Sequence, residues 1–347
     1  MKKQKIDIEI PLGKRTLKYR FFEILPAFLS FGAIILMFIL SFFSPFLASV
    51  YLLTIITTLL VKAIGIAYRM ITGHIQIEKA QKVNWNKRLS ELENPKKALE
   101  KIKNQEKSKE YDFKQHIQNL HDIIDKPEAF PDPFSVKNAV IIAAYNEPYE
   151  VIQPTIKSVL ASNYDAKNLL IFLAYEERGG KGIEKTAIRL KKEFSKSFGA
   201  FEIVKHPKNL PNEVVGKGGN ITFAGRALQK YCEDNKIPFE SVLVTTLDSD
   251  NKPHKEYFAA ATYEFIVHED RKKLSYQPVS LFLNNIWDVP APMRVVATGN
   301  SFWNIVSTMR PHLLRNFASH SQPLDALIEM DFWSTRRIVE DGHQFWR

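Results

Sequence analysis

The chain has 347 residues, of which 45% are hydrophobic and 25% charged, a balance that supports a packed core and excludes global disorder. Its single cysteine, Cys232, excludes an internal disulfide and a cysteine-rich zinc site, and fits a reducing compartment. The net charge of +10 points to nucleic acid or to anionic lipid; no nucleic-acid-binding motif is present, which favours lipid and argues against a nucleic-acid partner.

Residues 1–23 form a basic start, with Lys2, Lys3, Lys5, Lys14, Arg15, Lys18 and Arg20. Two apolar runs follow, from Ile24 to Phe43 and from Phe46 to Tyr68, separated by Ser44 and Pro45. Each has about the 20 residues that a helix needs to cross a hydrocarbon core of ~30 Å. They predict a transmembrane hairpin over residues 24–69. A buried soluble helix pair is less consistent with runs so long and so free of charge. A signal peptide would have a far shorter apolar stretch. Positive residues flank both ends and the turn is uncharged, so the N-terminus and everything after Met70 are expected in the cytoplasm. The expectation is thus a multi-pass protein of the cell membrane, with Lys62 close enough to the cytoplasmic end to snorkel.

Residues 70–133 read as a polar helical linker. Lys87–Lys109 is dense in Lys, Glu, Asn and Gln, with leucines at Leu89, Leu92 and Leu99. A solvated spacer is favoured over a helix lying on the membrane. Pro127, Pro131 and Pro133 mark the boundary with a domain over residues 134–347.

From Asn138 apolar strands alternate with helical stretches. The strands are Ala139–Ala144, Leu169–Ala174, Phe201–Val204 and Val242–Leu247; the helices are Tyr149–Ser162, Lys181–Phe198, Asn220–Cys232 and Lys255–Val267. This alternation predicts an α/β fold with a mostly parallel, Rossmann-like sheet covered on both faces. Ligands of such sheets bind beyond the carboxyl ends of the strands. There stand Tyr145-Asn146-Glu147-Pro148, Glu176-Glu177-Arg178-Gly179-Gly180 and Asp248-Ser249-Asp250. A single strand-end aspartate is often only a helix cap. Asp248 and Asp250 together can converge on one point and suit Mg2+ or Mn2+, hard cations that leave coordination places for a diphosphate. Gly216-Lys217-Gly218-Gly219-Asn220 opens a helix and offers an anion site or simply a flexible turn; its spacing is not that of a Walker A loop. Val339–Arg347 gathers Glu340, Asp341, His343, Gln344, Phe345, Trp346 and Arg347. A carboxylate there suits a general base and the aromatic faces suit sugar rings, although a capped helix start reads equally well.

In this order, Ala144-Tyr145-Asn146-Glu147, Glu176-Glu177, Lys217-Gly218-Gly219-Asn220, Asp248-Ser249-Asp250, Thr298-Gly299-Asn300 and Glu340-Asp341 resemble the motifs of family 2 glycosyltransferases. The likeness is to the membrane-integrated branch containing cellulose and hyaluronan synthases, and covers residues 137–347. It implies a GT-A fold and an inverting hexosyltransferase that needs a divalent metal. It also implies a nucleotide-sugar donor, UDP-sugar favoured, and a carbohydrate or lipid-linked acceptor at the membrane. Tyr145, Asn146, Glu147, Glu177, Lys217, Asn220 and Asp248 would bind the donor, with Asp248 and Asp250 on the metal. Asp341 would be the base with Glu340 beside it. Thr298, Gly299, Asn300, Gln344, Trp346 and Arg347 would face the acceptor. Two departures stand out: glutamates replace the usual aspartate pair at the second strand, and Gln344-Phe-Trp-Arg347 supplies Q-x-x-R without the tryptophan that follows in processive members. A fragment of a longer chain is expected. Competing readings are a catalytically inactive nucleotide-sugar-binding protein of the same fold and a metal-dependent phosphoesterase. The latter would need ligands that the nine scattered histidines do not cluster to provide.

Overall fold

The structure is a computed structural model that describes residues 14–102, 110–310, 312 and 315–346. It divides into two units, Met1–His74 and Ile75–Arg347, described separately.

The first unit contains helix α1 (Leu17–Phe43) and most of α2 (Pro45–Gln81). Thr16 caps α1 by accepting from the Tyr19 N–H, and the helix stops at Ser44, whose N–H returns to Leu40 O. Proline then opens α2, where its missing N–H is no loss. Both helices are long and apolar enough to cross a membrane, and none of their apolar windows is buried. Several hydroxyls are satisfied on their own helix: Ser41 donates to Met37 O, Ser49 to Pro45 O and Thr54 to Val50 O. Polar groups that must sit in hydrocarbon are expected to be handled in this way. Tyr51 Oη donates to Ala33 O at 3.0 Å, tying the two helices as a hairpin.

The second unit starts with three helices, α3 (Trp85–Glu91), α4 (Pro95–Ile102) and α5 (Phe113–Asp125). The α/β part follows: β1 (Lys137–Ala144), α6 (Tyr149–Leu160), β2 (Leu169–Glu176), α7 (Gly180–Phe194), β3 (Ala200–His206), α8 (Lys217–Asp234), β4 (Val242–Asp248) and α9 (Tyr257–Val267). The chain closes with α10 (Ala291–Thr308), β5 (Ser321–Pro323), α11 (Leu324–Glu329) and α12 (Glu340–Gln344). The sheet order is β3-β2-β1-β4-β5, parallel except for the short antiparallel β5. This is the Rossmann-like, mostly parallel sheet of the GT-A expectation. In register, Ala143 of β1 pairs with Ala174 of β2 and with Asp248 of β4, so three strands end at one edge.

Alternation along the strands builds a core on each face. Val140, Ile142, Ile171, Leu173, Leu243 and Leu247 pack under α6, α7 and α9. Ala139, Ile141, Leu170, Phe172, Val242 and Val244 pack under α8 and α11.

The polar stretch after the hairpin departs from a solvated spacer. Trp85, Leu89 and Leu92, spaced one helical turn apart, join the first core together with Phe113, Leu120 and Ile123. The Trp85 N–H donates to Glu256 at 3.0 Å, and His116 bridges Glu91 and Tyr263 at 2.9 and 2.8 Å. Each fully buried leucine contributes about 1.5–3 kcal/mol, so sparse apolar residues suffice to dock polar helices.

Candidate functional site

A cavity of about 630 Å³ opens at the shared carboxyl ends of β1, β2 and β4. Its walls include Tyr145, Glu147, Glu176, Arg178, Lys217, Asn220, Asp248 and Asp250. Four carboxylates therefore face two cations in one open pocket.

The turn after β4 is fixed on two sides. Asp248 N–H donates to Asn251 Oδ1 at 2.9 Å, and that same oxygen accepts from Ser319 Oγ at 2.5 Å. Ser249 O accepts from Thr155 Oγ1 of α6 at 2.7 Å. The two aspartates thus protrude from a braced loop. Asp248 Oδ1 accepts from Lys217 Nζ at 2.5 Å. Asp250 is held by its neighbours Asn284 and Asn285, which donate to its carbonyl at 3.3 Å and to its Oδ2 at 3.4 Å. Among the described residues no cluster of three or more His, Cys, Asp or Glu offers a complete metal cage. Two carboxylates in an open, acid-rich cavity fit a hard divalent ion that takes its other ligands from water or diphosphate.

Lys217 is the first residue of α8, where the helix dipole favours an anion. The neighbouring glycines serve a different purpose from phosphate approach. A Cβ on Gly218 would lie 2.3 Å from Ser334 O and 3.1 Å from the Glu340 Cβ, and one on Gly219 would lie 1.8 Å from Glu213 Oε1. Gly218 lets the start of α8 press against the C-terminal segment, and Gly219 lets it press against Glu213 of the preceding loop. Asn220 is 2% exposed; its Nδ2 donates to Ala144 O at 3.3 Å and to Ala174 O at 3.1 Å, stitching β1 to β2 at the cavity floor. Its Oδ1 has no hydrogen-bond partner among the described residues.

Tyr145 presents a half-exposed ring with the Arg178 guanidinium 5.7 Å from its centroid. Glu147 accepts from the Tyr145 N–H at 2.6 Å and so shapes that turn. Asn146 is exposed and does not line the cavity. Of the glutamate pair, the cavity takes Glu176, buried and ion-paired with Arg178. Glu177, expected at the donor, instead accepts from the Lys208 N–H at 3.1 Å and lies 3.7 Å from Lys205. The Lys208 N–H, and then the Lys205 and Lys208 ammonium groups, hold its carboxyl below the usual range. Alternation explains the swap, because a one-residue step reverses the side chain.

Glu340 and Asp341 open α12 beside Gly218. Burial pushes the Glu340 carboxyl up, helped by the charges of Asp341 and Asp248 and opposed by its own N–H and by Lys217. Glu340 packs against the start of α8 at Gly218, and neither Glu340 nor Asp341 lines the cavity. Close by, His320 is buried between Trp333 Nε1, 3.1 Å from its Nε2, and Phe317 O, 2.7 Å from its Nδ1. An N–H donated to Nε2 leaves the proton on Nδ1, a neutral ring. Burial pulls its pKa down to about 4, assisted by the Lys217 ammonium.

The acceptor set is dispersed. Thr298, Gly299 and Asn300 are exposed on α10 and line no part of the cavity. Gln344 is buried and borders a separate space of about 530 Å³ beside β5. Trp346 is exposed under the Arg315 guanidinium at 5.2 Å, and Arg347 lies outside the described residues. Sequence reading passed over Arg178, whose signal was a basic residue between the strand-end glutamates and a glycine pair. It also passed over Asn284 and Asn285, for which there was no signal.

No family model matches the chain, and no curated protein matches it. Among solved structures the chain is similar to the mannosyltransferase PcManGT from Pyrobaculum calidifontis in complex with GDP-Man and Mn2+. That likeness has 16% identity and a TM-score of 0.40, over 60% of this chain and 50% of that one. It is also similar to S. aureus TarS 1-349, with 13% identity and a TM-score of 0.34, over 60% of this chain and 54% of that one. The chain spans about half the length of each of these structures.

Proposed function

We propose that residues 134–347 form an inverting, family 2 type hexosyltransferase. It moves a sugar from a nucleoside diphosphate, UDP favoured, to a hydroxyl of a carbohydrate or lipid-linked acceptor. The observation that carries this reading is the charge of the cavity. With four carboxylates against two cations, an anionic diphosphate is repelled unless a divalent ion joins Asp248 and Asp250. These two residues would hold Mg2+ or Mn2+, which when bound offsets the charge building on the leaving diphosphate.

The chain's own residues supply the remaining steps. Lys217 and the start of α8 offer positive charge to phosphate oxygens. The Tyr145 ring, backed by Arg178, offers a face to the nucleotide base, and Glu147 fixes that turn. Asp341 takes the proton from the acceptor hydroxyl. The hydroxyl oxygen bonds to the anomeric carbon as the bond from that carbon to the diphosphate oxygen breaks, its electron pair leaving with the diphosphate. One such displacement inverts the centre. Burial raises the Glu340 carboxyl above its usual range. Thr298, Gly299, Asn300, Gln344 and Trp346 remain the candidates for acceptor contact. The basic flanks of the hairpin support a cytoplasmic placement of this chemistry on a cell membrane.

The test is nucleoside diphosphate release by the full chain from a panel of UDP- and GDP-sugars. Release should require Mg2+ or Mn2+ and fall by about 10²–10⁴-fold in Asp341→Asn, the usual worth of a positioned base. Asp248→Asn should abolish the metal requirement together with the activity. Unchanged release in both variants would sink the reading. One observation favours a second reading, binding without transfer: Asp341 is not among the residues lining the cavity. Under it, calorimetry finds UDP-sugar binding with Mn2+ while no acceptor elicits UDP.

A further inference from the structure

Helix α10 leaves large apolar side chains exposed. Its polar residues Ser301 and Asn304 are buried: Ser301 Oγ accepts from the Phe282 N–H at 2.9 Å, and Asn304 Nδ2 donates to Ser280 O at 2.7 Å. Along the opposite side Pro292, Val296, Gly299 and Trp303 follow at spacings of four, three and four, one line on a helix. That line and its flank are exposed, with Val295 at 73%, Val296 at 56% and Trp303 at 55%. A Cβ placed on Gly299 would meet nothing within 4 Å. The segment leading into the helix adds Phe282, Leu283 and Trp287, the last 78% exposed. A helix facing water places its apolar stripe inward; here Ile305 and Val306 are buried beside Ser301 and Asn304, yet Val295, Val296 and Trp303 still face outward.

Three features select the covering phase. First, the exposed side is mostly apolar: the Thr298 hydroxyl is already donated to Arg294 O at 2.8 Å, which leaves the exposed Asn300 amide beside the line of Val296, Gly299 and Trp303. Second, the Arg294 guanidinium lies 5.1 Å from the Trp287 ring centroid, an aromatic and basic pairing suited to a head-group layer. Between Val279 and Asn316 the chain carries one acid, Asp288, against Arg294, Arg310 and Arg315, a balance that complements anionic lipid. Third, the same chain carries two helices long and apolar enough to cross a membrane, which would keep the domain beside lipid at all times.

We propose that the outer face of α10, with Phe282, Leu283 and Trp287 ahead of it, seats in the head-group layer of a lipid bilayer. The proposal is independent of the transferase reading. It gives the loop between Leu283 and Trp287 two contacts at once, because Asn284 and Asn285 in that loop hold Asp250. Lipid contact on one side of the loop orders the carboxylate on the other.

The test uses the full chain in vesicles of phosphatidylcholine and phosphatidylglycerol. Val295→Cys is labelled with an environment-sensitive fluorophore; the native Cys232 is buried and its thiol is pushed up to about 11, so it stays unlabelled. Lys192→Cys, exposed on the far half of α7, serves as reference. Lipid carrying a nitroxide near the head of its chain should quench the label at position 295 about two-fold, because interfacial helices sit about 5–10 Å into the head-group boundary. The label at position 192 should be unaffected. Trp287→Cys provides a second site should the first variant fold poorly. Equal quenching at 295, 287 and 192 overturns the proposal. So does a disulfide joining two copies through Val295→Cys, which would show that a second copy of the chain covers this face.

Discussion

Lys217→Met separates two effects that a simple loss of activity would merge. The ammonium sits 2.5 Å from Asp248 Oδ1, with the two side chains 21% and 40% exposed. Bulk-water screening makes such a pair worth little, whereas a charge-assisted bond in a half-closed pocket is worth more. Between those limits the pair contributes about 1–2 kcal/mol, or about 5–30-fold in an equilibrium constant. If Asp248 holds the divalent ion as proposed, Lys217 competes with that ion in the absence of nucleotide, so its removal should tighten Mn2+ binding by that factor. With a nucleoside diphosphate present, the same removal takes away a phosphate partner, so UDP affinity at saturating Mn2+ should weaken by a similar factor. The two shifts have opposite sign. Titrating Mn2+ by electron paramagnetic resonance, with and without UDP, reads both on one sample. If Mn2+ alone binds the variant more weakly than the parent, Asp248 is not the site of competition and the placement of the ion is wrong.

Other outcomes follow from single contacts. A Cβ on Gly179 would lie 1.7 Å from Tyr145 O, so Gly179→Ala should force the β1 and β2 turns apart and cost about 1–3 kcal/mol, read as a lowered melting temperature with weakened nucleotide binding. Leu120 of α5 is fully buried in the core, so Leu120→Ala should cost about 2–5 kcal/mol by denaturant titration; a value near zero would return residues 83–125 to the status of a spacer. His320 titrates near 4 when folded and near 6.5 when unfolded. The unfolded chain therefore binds the extra proton between those values, and stability should fall by up to about 3 kcal/mol as pH drops from 6.5 to 4. Glu340, raised when folded, acts in the opposite sense, its contribution fading as pH rises past its unfolded value. Melting curves of the parent and His320→Gln from pH 7 to pH 4 isolate the histidine, and equal slopes would refute its buried neutral state.

The α/β frame was readable because β1, β2, β3 and β4 are short apolar runs broken by polar turns, a pattern that few other arrangements produce. The strand-end acids were readable for the same reason: once a strand is placed, its last residue is placed. What lay beyond reach depended on contacts between distant segments. Trp85, Leu89 and Leu92 look too sparse for a core until α9 is set against them. The choice of Glu176 over Glu177 turns on one residue of register at the end of β2. Gly218 and Gly219 read as either an anion site or a flexible turn, because the packing of Ser334 and Glu213 against them leaves no trace in local sequence. The three-residue β5 is shorter than any periodicity can register, and α10 mixes polar and apolar residues on both its buried and its exposed sides.

Asn220 has a consequence for how such a site can change over time. One amide clasps the last carbonyl of β1 and a carbonyl near the end of β2, so the floor of the pocket is set by the fold and owes nothing to whatever rests on it. The rim is made of Tyr145, Arg178 and the asparagine loop around Asp250, joined largely by side-chain contacts. Exchanging rim residues should therefore redirect the pocket to new cargo while the frame beneath stays as it was.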